Sequence, residues 1–218
     1  MKDIAIFGAG GFGKEVACLI DLINKNCSEN EAKYHVVGFF DDGVEKGTHI
    51  SRYGEVLGGM EELNKWATPL SICIAIGNPY SLKTVRQRIR NTKISFPNLI
   101  HPDFKVADNQ TFNIGHGNII QGGCFGSCDV EIGSFNVLNG SVVIGHDTKI
   151  GDYNVIMPNI RISGEVIIGE CNLLGVGSIV LQQLKIGEGV RLGAGAVLMT
   201  KPKSGGTYIG NPAKLLKY

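Results

Sequence analysis

An aliphatic residue returns at every sixth position from 114 to 198. Fourteen of these fifteen positions hold Ile, Leu or Val; only Gly126 breaks the series. A helix would repeat near 3.6 residues and a simple strand at 2, so neither explains the pattern. A strict period of six marks a β-helix solenoid, in which each hexad makes a short strand and a turn. The aliphatic residue then points into the core. Glycine often follows it, as at Gly115, Gly133, Gly145, Gly151, Gly169, Gly175, Gly187 and Gly193. These glycines are expected to permit the corner conformation. The residue four after the aliphatic is mostly small or β-branched, as at Val130, Val142, Thr148, Val166, Ser178, Val190 and Ala196. Three hexads make one triangular coil, so the run from 114 to 203 makes five coils without insertion. Each coil buries its core side chains only against its neighbours, so the ends need caps. The segment GNPAKLLKY and the N-terminal half are the candidates.

Residues 1–100 read differently. DIAIFGAG is a buried strand ending in glycines, and VACLIDLINKN has the spacing of a helix. YHVVGFFDD is a second strand, followed by a polar, glycine-rich loop and a short helix at MEELNKW. SICIAIGN is a third strand, SLKTVRQRIRN a basic helix that Ser81 would cap, and SFPNLIHPD a fourth strand. Alternation of strand and helix implies a parallel sheet with crossover helices. The boundary between the two domains is set at 100/101.

Between the first strand and helix stands Gly8-Ala9-Gly10-Gly11-Phe12-Gly13, a G-x-G-x-x-G run. Such glycines let a backbone turn approach a ligand, while the helix N-terminus offers N–H groups and partial positive charge to phosphate. Asp41 ends the second strand, where an acidic residue can bond a ribose hydroxyl. Gly77-Asn78, after the third strand, falls on the same sheet edge. A full dinucleotide fold needs two mononucleotide halves, and only one fits here. One nucleotide therefore suits the chain better than NAD.

Composition excludes several classes. Net charge is +1 with no basic block, which argues against a nucleic-acid binder. No apolar run approaches a membrane span, and MKDIAIFGAGGFGKE does not read as a signal peptide, so a cytoplasmic location is expected. The six cysteines form no CxxC and no zinc-ribbon spacing, so they read as buried thiols and no metal is expected.

Taken together, GAGGFGKE, FFDD, IAIGN, LIHP, GHD, LGVGS, LGAGAVL and GNPAK resemble the hexapeptide-repeat acyltransferases. More narrowly, they resemble the sialic acid O-acetyltransferase and UDP-4-amino-sugar N-acetyltransferase (PglD-like) family. The resemblance covers nearly the whole chain. It implies a Rossmann-like nucleotide-sugar domain followed by an all-β, left-handed parallel β-helix. It also implies a homotrimer, acetyl-CoA as donor and a nucleotide-linked (UDP or dTDP) amino sugar as acceptor. Surface polysaccharide synthesis is the implied pathway. The family's nucleotide-contacting positions fall on Gly10, Gly11, Phe12, Asp41, Asp42 and Gly77. Its donor positions fall on Val155, Gly164, Val176 and Ala194, and its catalytic pair on His146 and Asp147. Relatives often carry His at the Phe12 position, and a second His where this chain has Val155.

His146-Asp147 is the part of VVIGHDTKIG that the repeat does not require. An amine attacks a thioester only when unprotonated, so a base near the nucleophile is needed. An adjacent carboxylate orients the imidazole. Direct transfer is expected, because no cysteine falls on the histidine's own hexad. The principal reading is N-acetylation, with a 4-amino-4,6-dideoxyhexose as the expected sugar. O-acylation of a sugar hydroxyl is the alternative, and a non-catalytic sugar-nucleotide-binding trimer is a third. His35, His49, His101 and His116 are assigned no chemistry.

Overall fold

The computed structural model describes residues 1–27 and 34–216. They form two units: residues 1–27, 34–77 and 81–102, and residues 78–80 with 103–216.

The first unit is built on β1 (Lys2–Phe7), whose Ile4, Ala5 and Ile6 have no exposed surface. α1 (Gly11–Asn26) buries Val16, Leu19 and Ile20, the i, i+3, i+4 face its spacing predicts. β2 (Tyr34–Phe40) follows, then β3 (Val56–Gly58), α2 (Met60–Asn64), β4 (Leu70–Ile74), α3 (Pro79–Arg88) and β5 (Ile94–Ser95). The sheet order is β3-β2-β1-β4-β5, and every pairing is parallel. β1 is thus flanked by β2 and β4, so the connections diverge there and open a crevice at the strands' carboxyl ends.

Three expectations need correction. The loop after β2 holds a strand, β3, which adds to the sheet edge beside Phe39 and Phe40. α3 begins two residues before Ser81; the Asn78 side chain accepts the Tyr80 N–H at 3.1 Å and takes the capping role. The fourth strand is split into Ile94–Ser95 and Leu99–Ile100, with Pro97, which has no N–H to donate, between them.

The second unit is the expected solenoid. A two-residue strand ends at every sixth residue from Ile114 to Leu198, and pairing partners are eighteen residues apart, as in Val143↔Arg161 and Ile144↔Ile162. The strands stack into parallel sheets. The register changes only at the ends. Phe125 pairs with Lys105, twenty residues back, so an earlier strand joins with two extra residues at a corner. Arg191 pairs with Thr207, sixteen residues on. The Thr207–Ile209 strand then pairs antiparallel with Lys214–Leu215, which covers the last sheet edge. Gly126 is glycine because Phe112 fills its place: a methyl there would lie 3.2 Å from the Phe112 ring.

The corner chemistry differs from the expected one. The left-handed conformation falls three residues after the aliphatic, at Asp129, Phe135, Ser141, Asp147, Tyr153, Asn159, Glu165, Cys171 and Gln183 among others. The glycine directly after the aliphatic is needed for close stacking instead. A Cβ on Gly145 would stand 2.6 Å from the Gly164 nitrogen in the next coil. One corner also carries a buried amide ladder at Asn118, Asn136, Asn154 and Asn172, each with no exposed surface. Each side-chain oxygen accepts the backbone N–H of the residue eighteen further on, at 2.7–3.0 Å, ending on Val190. These four places satisfy buried N–H groups that an apolar residue would leave to find other acceptors.

Candidate active site

His146 lies two residues after the core residue Ile144, on a solenoid edge, and its side chain is 55% exposed. Its Nδ1 stands 2.7 Å from Asp147 Oδ2. A carboxylate can only accept, so Nδ1 carries the hydrogen, and in the neutral ring Nε2 keeps the lone pair. Asp147 occupies the left-handed corner place, φ 56°, which aspartate tolerates better than most residues. The pair is fixed by the coils on either side. The Asp147 N–H donates to the Cys128 carbonyl at 3.1 Å, and the His146 carbonyl accepts the Glu165 N–H at 2.8 Å. Buried Thr148 donates to the Ser163 carbonyl at 3.2 Å. The imidazole lies over Gly164, one coil on: a Cβ there would meet Nε2 at 2.5 Å.

The residues assigned to the acyl donor do not form one row. Gly164 shares the edge of His146, with Cys128 before it and Gln182 after it. Val176 and Ala194 stack on a different edge, where Gly177 N–H donates to the Pro158 carbonyl and Gly195 N–H to the Val176 carbonyl. Both are exposed. Val155 has no exposed surface, so its side chain has nothing to offer a donor.

In the first unit, the glycine run divides its labour. Gly8, φ 115°, makes the turn, and a Cβ there would strike the Ala75 carbonyl at 2.6 Å. Gly13 packs against the Gly8 carbonyl, with no room for a side chain. Gly10 and Gly11 have open space where a Cβ would be, as does Gly77 after β4. Gly10 is the N-cap of α1 and has no side chain to bond the first-turn N–H groups. Gly10, Gly11 and Gly77 thus stand just past the carboxyl ends of β1 and β4. Phe12, half-buried, stands in the same first turn.

Asp41 and Asp42 have separate tasks. Asp41 accepts the Ala9 and Gly43 N–H groups, both at 2.8 Å, one on each oxygen. That ties the glycine turn to the end of β2 and leaves each oxygen a lone pair for a ligand. Asp42 accepts the Met60 N–H at 2.7 Å and pairs with Arg88 at 2.8 Å. Its carboxylate is committed to the start of α2. A groove of about 530 Å³ opens beside both, lined also by Lys46, Gly59 and Glu62.

Among the other histidines, His116 sits 3.2 Å from Ser134 Oγ with its ring edge on Phe135, and His35 pairs with Asp3 at 3.0 Å. Among the described residues, no cluster of three His, Cys, Asp or Glu is placed to hold a metal, and no helix is long and apolar enough to cross a membrane. The amide ladder and the place of Gly164 under the imidazole were not anticipated. Asparagine recurring every eighteen residues from 118 to 172 was a readable signal for the first. The second is signalled only by spacing, since Gly164 stands eighteen residues, or three hexads, after His146.

Residues 3–89 match the PglD N-terminal domain family. A search of curated protein sequences found no match. Three solved structures are similar along essentially the whole chain. The acetyltransferase domain of PglB from Neisseria gonorrhoeae FA1090, in complex with acetyl coenzyme A, is 29% identical with a TM-score of 0.86, covering 99% of each chain. WeeI from Acinetobacter baumannii AYE is 27% identical with a TM-score of 0.86, covering 99% of this chain and all of that one. PerB from Caulobacter crescentus, in complex with CoA and GDP-perosamine, is 25% identical with a TM-score of 0.83, covering 100% of this chain and 98% of the other. These likenesses agree with the resemblance carried by the sequence motifs.

Proposed function

We propose, for a chain whose residues 3–89 match the PglD N-terminal domain family, an acetyl-CoA-dependent N-acetylation of a nucleotide-linked amino sugar. The observation that carries the reading is the His146–Asp147 pair, 2.7 Å apart on an exposed edge of the solenoid, with Nε2 unencumbered by the carboxylate. Its supports are the open glycine turn of the first unit and the ligands of the similar structures, acetyl coenzyme A in one and CoA with GDP-perosamine in another.

In this reading the sugar amine attacks the thioester carbonyl carbon, and His146 Nε2 takes the amine proton as the C–N bond forms. Asp147 stabilises the imidazolium. The tetrahedral adduct collapses by breaking the C–S bond, and the proton passes from His146 to the CoA sulfur. The products are an amide and CoA. Base catalysis of this kind contributes about 10²–10⁴-fold. With the Val155 side chain buried, a backbone N–H is left to stabilise the thioester oxygen. The nucleotide occupies the crevice beyond β1 and β4, its phosphates at the start of α1, with Gly10, Gly11, Phe12 and Gly77 around it and Asp41 on the ribose side. Asp42 acts indirectly, by placing Asp41 and α2.

A donor that touches the edge of His146 and the edge of Val176 and Ala194 has two ways to do so. It wraps a face of one coil, or it bridges two copies of the chain. We adopt the second, in a homotrimer with left-handed coils, on the strength of the family resemblance. The partly exposed Phe125, Val176, Leu181 and Met199 suit such contacts.

Thiol release from acetyl-CoA, followed against a panel of UDP-, dTDP- and GDP-linked amino sugars and their hydroxyl analogues, tests the assignment. Stimulation by an amino sugar alone is expected. Stimulation by a hydroxyl acceptor alone would transfer the assignment to O-acylation. Sugar-nucleotide binding without any turnover would leave a binding module. His146→Ala is expected to lower kcat by about 10²–10⁴-fold while acetyl-CoA still binds.

A further inference from the structure

The corner place two residues after the core aliphatic accepts many side chains. Glu170, Val176, Glu188 and Ala194 all occupy it. Nothing in the coil therefore demands glycine there, and Gly164 does not use the left-handed conformation that would favour glycine. What its missing side chain leaves room for is the His146 ring. A Cβ on Gly164 would stand 2.5 Å from Nε2, 2.6 Å from Cε1 and 2.9 Å from Cδ2, with ordinary contact at 3.4–4 Å. The ring thus lies in the space a Gly164 Cβ would take, and its Nδ1 is held by the 2.7 Å bond to Asp147. The Glu165 N–H, next in the chain, bonds the His146 carbonyl, so the seat and the ring belong to one hydrogen-bonded pair of coils.

We propose that Gly164 is a positioning residue that seats the His146 imidazole and so sets where its Nε2 meets the acceptor. The proposal rests on His146 acting as the base. A methyl at 164 displaces the ring by about 1 Å, from 2.5 Å to ordinary contact. A misplacement of that size costs about 10²-fold in rate.

Gly164→Ala is the test, with kcat, the KM for each substrate and CoA binding by calorimetry measured together. The expected result is a kcat about 10²-fold lower, CoA affinity within about threefold of wild type, and shifted imidazole resonances of His146 in proton–nitrogen spectra. The double variant His146→Ala/Gly164→Ala is expected to be no slower than His146→Ala alone, because the added methyl acts on the ring, while glycine offers a donor only its backbone, which alanine keeps. A kcat within about threefold of wild type, an effect confined to CoA affinity, or losses that multiply in the double variant would each overturn the proposal. Should Gly164→Ala fail to fold, the double variant decides. Recovery on removing the ring supports competition for one space, and continued failure means that glycine serves the coil itself. Undiminished turnover in His146→Ala removes the base reading. The resonances then judge the seat separately, and their remaining unmoved in Gly164→Ala sinks it.

Discussion

Asn154→Ala tests whether the buried amide ladder holds the coils in register. The Asn154 side-chain oxygen accepts the Asn172 N–H at 3.0 Å and the Asn172 amide at 2.9 Å. Its own amide donates to Asn136 at 3.1 Å and to the Gly169 carbonyl at 2.9 Å. Alanine deletes all four bonds and leaves the backbone ones, the Asn154 N–H on Asn136 and the Val137 N–H on the Asn154 carbonyl. The Asn172 N–H, fully buried, loses its acceptor, at about 1–3 kcal/mol. The Asn172 amide, the Gly169 carbonyl and the Asn136 side-chain oxygen each lose a bond of about 0.5–1.5 kcal/mol net. The sum is about 2.5–7.5 kcal/mol, a large fraction of the stability of an ordinary domain. Asn139→Ala is the control: it is half-buried and donates to the Ile156 carbonyl at 3.3 Å, so its loss is expected to cost under about 1 kcal/mol. Urea unfolding at one fixed protein concentration measures both, since association would otherwise enter the comparison. Amide exchange adds the location: the Asn172 N–H is expected to lose protection first, because a solenoid responds coil by coil. A loss below about 1 kcal/mol for Asn154→Ala, with Asn172 still protected, would show that the aliphatic core alone sets the register.

Two further perturbations separate fold from ligand. Gly8→Ala places a Cβ 2.6 Å from the Ala75 carbonyl at a φ of 115° and is expected to unfold the first unit or lower its Tm severely. Gly10→Ala points into open space at φ −78°, so Tm should hold while calorimetry shows several-fold weaker sugar-nucleotide binding; equal loss of Tm in both would refute the division of roles. Burial pushes the Cys73 thiol from 9.0 up to about 12. The unfolded chain then releases a proton that the folded chain keeps, so this contribution is whole below pH 9 and is lost as pH rises toward 12. Cys73→Ala should flatten the alkaline decline of stability, and an unchanged slope contradicts the assignment.

The hexad run and the glycine turn were legible because each is a periodic or local demand on residue type. Ile144 must be aliphatic wherever the coil places it, and Gly8 and Gly13 are the only residues that fit their neighbours. The edge strand β3 was hidden because three residues, VLG, cannot display a period. The corner conformation was misassigned because the left-handed place holds Phe135, Tyr153 and Glu165, residues whose own preference is against it. Stacking between coils overrides that preference. His146 and Asp147 were readable as a pair, being adjacent in sequence. The partition of Gly164 from Val176 and Ala194 lies in the eighteen-residue count that three hexads per coil imply: 164 differs from 146 by one coil and 194 from 176 by one, while 176 is only twelve from 164.

Parallel strands stack about 4.8 Å apart, so that count is also a length. Cys128, His146, Gly164 and Gln182 stand along one edge like marks on a ruler. A molecule lying lengthwise along it would be read one side chain at a time. A substitution at one mark rewrites a single interval and leaves the spacing of the rest unchanged. The polypeptide backbone is the fixed scale of this edge, and the side chains are what can change along it.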